Sequence, residues 1–274
     1  MTMHTQKTLG LSLTLGVIAL LPGAAQAQTC GSILTANTTL TGNLVCTGGN
    51  GLELAANNIT LDCAGFSITG IGTDVGILLD NTVQATVVDC TVDNFAVGFR
   101  IDGGNDNKLS TNVAVNNQST TGGFSIINGS TGNVLVDNEA SNNVGRGFSI
   151  NASDKNILEY NAAYLNGFRG FDVINASYNY LHGNVARSNT SAGMIVQDYL
   201  GGISTGNLLD KNYIVGSGSE GLAMFASGNT VQYQGSDYNG TWGIRDTSGA
   251  ANTYISNTCV GNPSGTSSPA GLCF

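Results

Sequence analysis

Apolar residues in this chain come in short alternating runs, broken by Asn, Gly or Ser, and not at the three-and-four spacing of an amphipathic helix. The stretch NILEYNAAYLNGFRGFDV from Asn156 to Val173 is the clearest case. Its pattern returns in NYLHGNVARSNTSAGMIV from Asn179 to Val196 and in NVLVDNEASNNVGRGFSI from Asn133 to Ile150. Each unit has an Asn every five residues, three times, then Gly, an aromatic or aliphatic residue, one free position and another aliphatic. Gly followed by an apolar residue recurs at Gly76, Gly98, Gly123, Gly147, Gly170, Gly193, Gly221 and Gly243, at intervals of 22, 25, 24, 23, 23, 28 and 22 residues.

Segments this short cannot form helices, but they can form strands whose alternate residues are buried. Three strands per repeat return the chain to its starting azimuth about 4.8 Å further along. The expected fold is all-β, a single-stranded parallel β-helix of about 8–9 coils, each 22–28 residues long, making a rod roughly 40 Å in length. Equivalent residues then stack. One Asn ladder is expected through Asn112, Asn138, Asn161, Asn184 and Asn212, continued by Gln234 and Asn257, and a second through Asn143, Asn166, Asn189 and Asn239. Ala114, Ala140, Ala163 and Ala186 form a small-residue wall, facing a bulky column of Phe99, Phe124, Phe148, Phe171, Met194, Leu222 and Ile244.

The ends of the chain read differently. Lys7, an apolar run from Leu9 to Leu21 and the exit Ala25-Gln26-Ala27 describe a secretory leader over 1–27, too short to span a bilayer. All six cysteines follow it, an even number suited to an oxidising compartment. Six cysteines allow 15 pairings. Nearest-neighbour pairing is expected: Cys30 with Cys46 in an N-terminal cap (28–50), Cys259 with Cys273 in a C-terminal cap (258–274), and Cys63 with Cys90 between adjacent coils of the β-helix body (51–257). A four-cysteine metal site would need C-x2-C spacing, which is absent. No proline lies between Gly23 and Asn262, as strand ladders require.

Composition narrows the function classes. Only 10% of residues are charged, and 9 Lys and Arg stand against 18 Asp and Glu for a net −9. A nucleic-acid binder needs a basic footprint, and a disordered chain needs lower hydrophobicity than 41%. A secreted, periplasmic or cell-surface protein is expected, monomeric, without a membrane span.

The opening CGSILTANTTLTGNLVCTGGNGLELAANNITLDCAGFSITG, followed by the Asn/Gly coils, resembles the right-handed parallel β-helix repeat proteins, including the pectate-lyase-like superfamily and the NosD-like carbohydrate-binding and sugar-hydrolysis domains. The resemblance covers roughly Cys30 to Asn262. It implies a right-handed helix, with a substrate groove on the outer face of the Gly-initiated strands and polysaccharide or cell-surface glycan as partner. The catalytic signatures of these relatives are missing. There is no Asp-Asp with a downstream Gly-His-Gly, no Arg-x-Pro-x-x-Arg and no Asp-Pro-His-Asp. Copper handling, associated with NosD-like proteins, finds only His182 beyond the leader, and Met194 and Met224 fall in core columns. No cofactor is expected. A Ca²⁺ bridge is the one metal role left open, and no D-x-D loop or GGxGxD repeat announces it.

On the expected groove face, Arg146, Arg169, Asp172 and Asp198 are the catalytic candidates, able to neutralise a uronate carboxylate or act near an acidic carbon. Arg100, Tyr199, Glu220, Trp242 and Arg245 are the candidate ligand contacts, with Trp242 and Tyr199 offering rings for sugar stacking. The plainer alternative is a set of surface ion pairs worth little. A second stack, Glu159, His182 and Asp210, lies on another face, where a solvated polar stripe is the plainer expectation. Coils vary only from 22 to 28 residues, so no deep wall is expected. The 28-residue coil from Gly193, with its insert around QDYLGGISTG, alone departs, and its loop after Val196 brings Asp198 and Tyr199 to the groove face. An acidic rod favours a neutral glycan, or an acidic one bridged by Ca²⁺. The resulting expectation is an exported, non-catalytic glycan-binding or surface-structural protein. The alternative is a polysaccharide lyase, epimerase or glycosidase. An ice-binding solenoid would need a regular outward Thr column, and the outward positions here are mixed.

Overall fold

The computed structural model describes residues 28–249 and 251–274, so the expected leader over 1–27 lies outside the described residues. Every named element is a strand, and each pairing between strands is parallel. Consecutive strands go in turn to three sheets, called A, B and C, of 11, 10 and 9 strands among the described residues. Every third strand is therefore a neighbour in space, as a chain wound into a solenoid demands. The register follows the sequence columns: Phe99 pairs with Phe124, Phe124 with Phe148, and Phe148 with Phe171.

The winding makes about ten turns, close to the 8–9 expected. The difference arises at the N-terminal end. Ser32–Leu34, Thr38–Thr39 and Leu44–Val45, from the segment expected to cap the helix, are the outermost strands of sheets A, B and C. At the other end Gly265–Ser268 closes sheet A against Trp242–Asp246. Both terminal segments thus follow the winding.

The interior explains the repeat. Phe99, Phe124, Phe148 and Phe171 stack face to face, with centroids 4.6, 4.7 and 4.8 Å apart and planes within 6°. That spacing is the rung spacing itself. Opposite them, a Cβ added to Gly147 would lie 2.8 Å from Ala163 Cβ and 2.7 Å from the Gly170 carbonyl, so glycine is required where two walls meet. The first expected Asn ladder forms from Asn112 to Asn212, and the second from Asn143 to Asn189, but Ser217 interrupts the second before Asn239, which accepts from the Ser217 backbone N–H at 3.0 Å. In the first, side-chain amides join Asn112, Asn138, Asn161, Asn184 and Asn212 at 2.9–3.1 Å. The second also takes in Asn117 and Asn262. A third ladder, from Asn107 through Asn133, Asn156, Asn179 and Asn207 to Asn229, accounts for the remaining Asn of each unit. Gln234 does not continue the amide chain as expected. Its longer side chain donates back to the Gln232 carbonyl, and its own Oε1 is buried without a partner.

All three disulfides join the expected partners, with Cα separations of 5.5 Å for Cys30–Cys46, 4.8 Å for Cys63–Cys90 and 5.9 Å for Cys259–Cys273. Among the described residues no helix is long and apolar enough to cross a membrane.

Candidate functional site

Strand alternation sends Phe171 and Val173 into the core and turns Asp172 outward. The same holds along sheet A, giving an outward column Arg100, Ser125, Ser149, Asp172, Ile195, Ala223 and Arg245 in continuous register. Its middle is outward yet covered: Ser125, Asp172 and Ala223 are 2%, 1% and 1% exposed. Residues flanking the sheet must therefore rise above it, and they form a cleft of about 570 Å³. Arg146, Phe168 and Arg169 line it from the turns before the strands, and Gln197, Tyr199 and Leu200 from the other side.

Asp172 organises the cleft. Its Oδ2 accepts from Arg146 Nε and, at 2.8 Å, from Arg169 Nη1, while its Oδ1 accepts from Gln197 Nε2 at 3.2 Å. Arg146 also donates to the Thr120 carbonyl at 2.9 Å and so reaches across coils. Both guanidiniums lie by the Phe168 ring, Arg169 at 4.4 Å and Arg146 at 5.3 Å from its centroid. A buried carboxylate holding three donors has little capacity left to act as a base, but it fixes the arginines in place. Two guanidiniums against one carboxylate leave the cleft cationic. Arg169 Nε, and further along the same outer face Ser125 Oγ and Arg100 Nε, are buried polar atoms without a partner.

The longest coil, the one that departs from the uniform length, supplies the second wall through Gln197, Tyr199 and Leu200. Asp198 does not join Asp172 and the arginines; its Oδ1 accepts from Ser204 N at 2.6 Å and folds the loop back on itself. Tyr199 N donates to Asn175 Oδ1 at 2.7 Å, and the Tyr199 side chain is 59% exposed at the rim. Glu220 and Arg245 are paired with each other at 2.8 Å, away from the cleft lining. Burial opposes ionisation of Glu220, but hydrogen bonds from Arg245, from its own backbone and from Ser219 outweigh it and hold its carboxyl below the ordinary range. Trp242 does not line this cleft; its ring lies against Gly265, where a Cβ would come within 2.8 Å of it.

Phe168, Gln197 and Leu200 were not legible as site residues. A column comparison marks Phe168, since the neighbouring coils carry Gly145, Ser191, Ser219 and Thr241 at that place. On sheet B, Glu159, His182 and Asp210 do stand in register, and His182 Nδ1 lies 2.8 Å from Asp210 Oδ2. Among the described residues no three His, Cys, Asp or Glu side chains are grouped to hold a metal ion.

Solved structures with the same fold include the mannuronan C-5 epimerase A-module of Azotobacter vinelandii, with a TM-score of 0.68 at 16% identity over 86% of this chain and 76% of that one. A periplasmic alginate epimerase gives 0.60 at 13% identity, over 85% and 70%. The Dettilon tailspike protein gives 0.70 at 14% identity, over 88% of this chain and 57% of that one. Comparison with curated protein sequences finds no match. The family model described as "Right handed beta helix region" matches residues 23–163 and again 75–237. With its parallel coils, stacked interior and outward groove, the chain belongs to the right-handed β-helix family.

Proposed function

We propose that the chain is an exported glycan-binding protein whose ligand lies in the groove on the outer face of sheet A and carries carboxylate groups. The observation that carries this reading is the Arg146–Asp172–Arg169 cluster beside Phe168, facing Tyr199 across the cleft. Guanidiniums present five donors each, and Asp172 uses one from each arginine, so others remain for a sugar acid. The local charge of the cleft supports an acidic ligand in spite of the net −9: Arg146 and Arg169 line it against the single carboxylate of Asp172. Tyr199 supplies a ring at the rim and the unpaired Ser125 Oγ a polar floor. Three disulfides, a leader-like N-terminus and structural neighbours that include alginate epimerases fit an exported protein meeting polysaccharide.

The three hydrogen bonds that Asp172 accepts favour binding over turnover, because the carboxylate between the two arginines is engaged in holding them. The test is titration calorimetry with neutral and uronate oligosaccharides, run beside assays for new reducing ends and for absorbance of unsaturated uronates. The expected result is uronate binding without turnover, weakened about tenfold or more by Arg169→Ala. Turnover would replace this reading with that of a polysaccharide lyase, epimerase or glycosidase. Binding that survives Arg169→Ala and Tyr199→Ala unchanged would remove the groove assignment.

A further inference from the structure

Sheet B carries a cluster that the groove does not use. His182 Nδ1 meets Asp210 Oδ2 at 2.8 Å, and the other ring nitrogen, Nε2, lies 3.2 Å from the Tyr160 hydroxyl. A carboxylate only accepts, so in the neutral imidazole Nδ1 carries the proton, Nε2 accepts, and the Tyr160 phenol donates. Asp210 is itself held: Gln232 Nε2 donates to Oδ1 at 3.2 Å and the Tyr180 hydroxyl to Oδ2 at 3.4 Å. Burial first, and then the charge of Asp210, push the Tyr180 phenol up, which keeps it a donor at this contact. Tyr160 is the accessible member, 56% exposed. Its ring rests over Gly183, where a Cβ would come within 2.6 Å, and stands edge-on to the imidazole with centroids 5.3 Å apart.

We propose that Tyr160 is a nucleophile, with His182 its general base and Asp210 the residue that positions the base, and that its substrates are carboxylic esters reaching this face from solvent. The order of groups, nucleophile to base to orienting carboxylate, is that of an activated nucleophile. Tyr160 Oη bonds to the acyl carbon while its proton passes to His182 Nε2. The ester C–O bond then breaks, and the departing oxygen takes that proton. Water adds to the tyrosyl ester, giving its proton to Nε2. The acyl–tyrosyl bond breaks, the phenol regains a proton from Nε2, and the carboxylic acid leaves. This inference does not depend on the groove or on a glycan ligand.

The chain contains its own references. Tyr178 and Tyr238 are 61% and 64% exposed and also rest over glycines, Gly206 and Gly261. Neither has an imidazole beside it, since His182 is the only histidine among the described residues. The folded protein is incubated with p-nitrophenyl acetate, and acetylated tyrosines are located by peptide mass spectrometry. Tyr160 is expected to acetylate roughly 100-fold or more faster than Tyr178 and Tyr238, with a matching burst of p-nitrophenol. Tyr160→Phe removes the burst, and His182→Gln lowers Tyr160 to the rate of the reference tyrosines. Asp210→Asn slows acetylation, and nitrogen NMR of the His182 ring shows the proton no longer confined to Nδ1. Circular dichroism identifies any variant that fails to fold, and Tyr160→Phe removes only an exposed hydroxyl. Acetylation that follows exposure alone, or a Tyr160 rate unchanged in His182→Gln, overturns the proposal.

Discussion

A side-chain amide has two donors and two acceptor sites, and the interior ladders give nearly every one a partner. Asn138 Nδ2 donates to the Leu109 carbonyl and to Asn161 Oδ1, both at 2.9 Å, while its own Oδ1 accepts from Asn112 N and Asn112 Nδ2 at 3.0 Å each. An Asn buried like this costs no unpaired polar group, which explains how a chain with 10% charged residues carries so much polar material inside. Aspartate at such a position keeps the shape but has no N–H. Asn161→Asp removes the Nδ2 donor to the Leu135 carbonyl and to Asn184 Oδ1, leaving the latter only the Asn161 backbone N–H, and sets a charged oxygen against both acceptors; it is expected to cost roughly 3 kcal/mol or more. A fall in urea midpoint that is small or absent would show that the ladder merely fills space. Gln234 marks the limit of reading such columns from sequence. Its amide chemistry is right, but one extra methylene moves the amide out of the stack, a distance that column alignment does not encode.

At the scale of strands and corners, the period carries most of the information. The Phe stack, the Gly–Ala contact and two of the three ladders were legible because each needs only that residue i meets its equivalent one coil later. The groove was not legible to the same degree. Its walls depend on where the turns and the loop after Val196 go, and Asp198 shows why: the carboxylate placed in the site by spacing folds its own loop instead. Corners have a further requirement. The column Asn94, Asn116, Asn142, Leu165, Ser188, Gly216, Tyr238 and Gly261 has φ between 52° and 68° throughout. Asn and Gly tolerate that conformation, while a leucine is strained there by about 1 kcal/mol. Leu165 is 60% exposed and has little burial to lose. Leu165→Gly is therefore expected to raise the urea midpoint, by about 1 kcal/mol of stability. A lower midpoint would show that its apolar contacts, beside Tyr164 and Arg187, outweigh the strain.

Across the whole molecule, each coil touches only its neighbours, so stability is a sum along the rod and loss begins at an end. The two ends are secured differently. Near the N-terminus Cys30–Cys46 fixes the first coil, and Cys63–Cys90 ties strands of adjacent coils together. Cys259–Cys273 closes only the final segment on itself, with a separation of 14 residues. The last coils rely instead on two carboxyls. Glu220 reaches Arg245 of the next coil. Asp246 accepts from Ser248 N and Oγ, Asn252 Nδ2 and the Tyr254 hydroxyl, at 2.7–3.0 Å. Burial alone would raise both, but these bonds hold Glu220 below its ordinary 4.5 and Asp246 below its ordinary 3.8. Carboxyls lowered on folding contribute stability that is full above the unfolded value and lost as pH falls through the folded one. Acidification from about pH 5 downward is therefore expected to open the coils after Gly221 before those stapled by Cys63–Cys90. Hydrogen exchange followed by mass spectrometry, stepped down in pH, reads this directly: peptides from 222–274 should lose protection first. Glu220→Gln with Asp246→Asn should flatten that dependence while leaving the C-terminal coils less protected at neutral pH. Loss of protection that begins at the N-terminal coils, or that is uniform along the rod, would show that the disulfides and the two carboxyls do not set the order in which the helix unwinds.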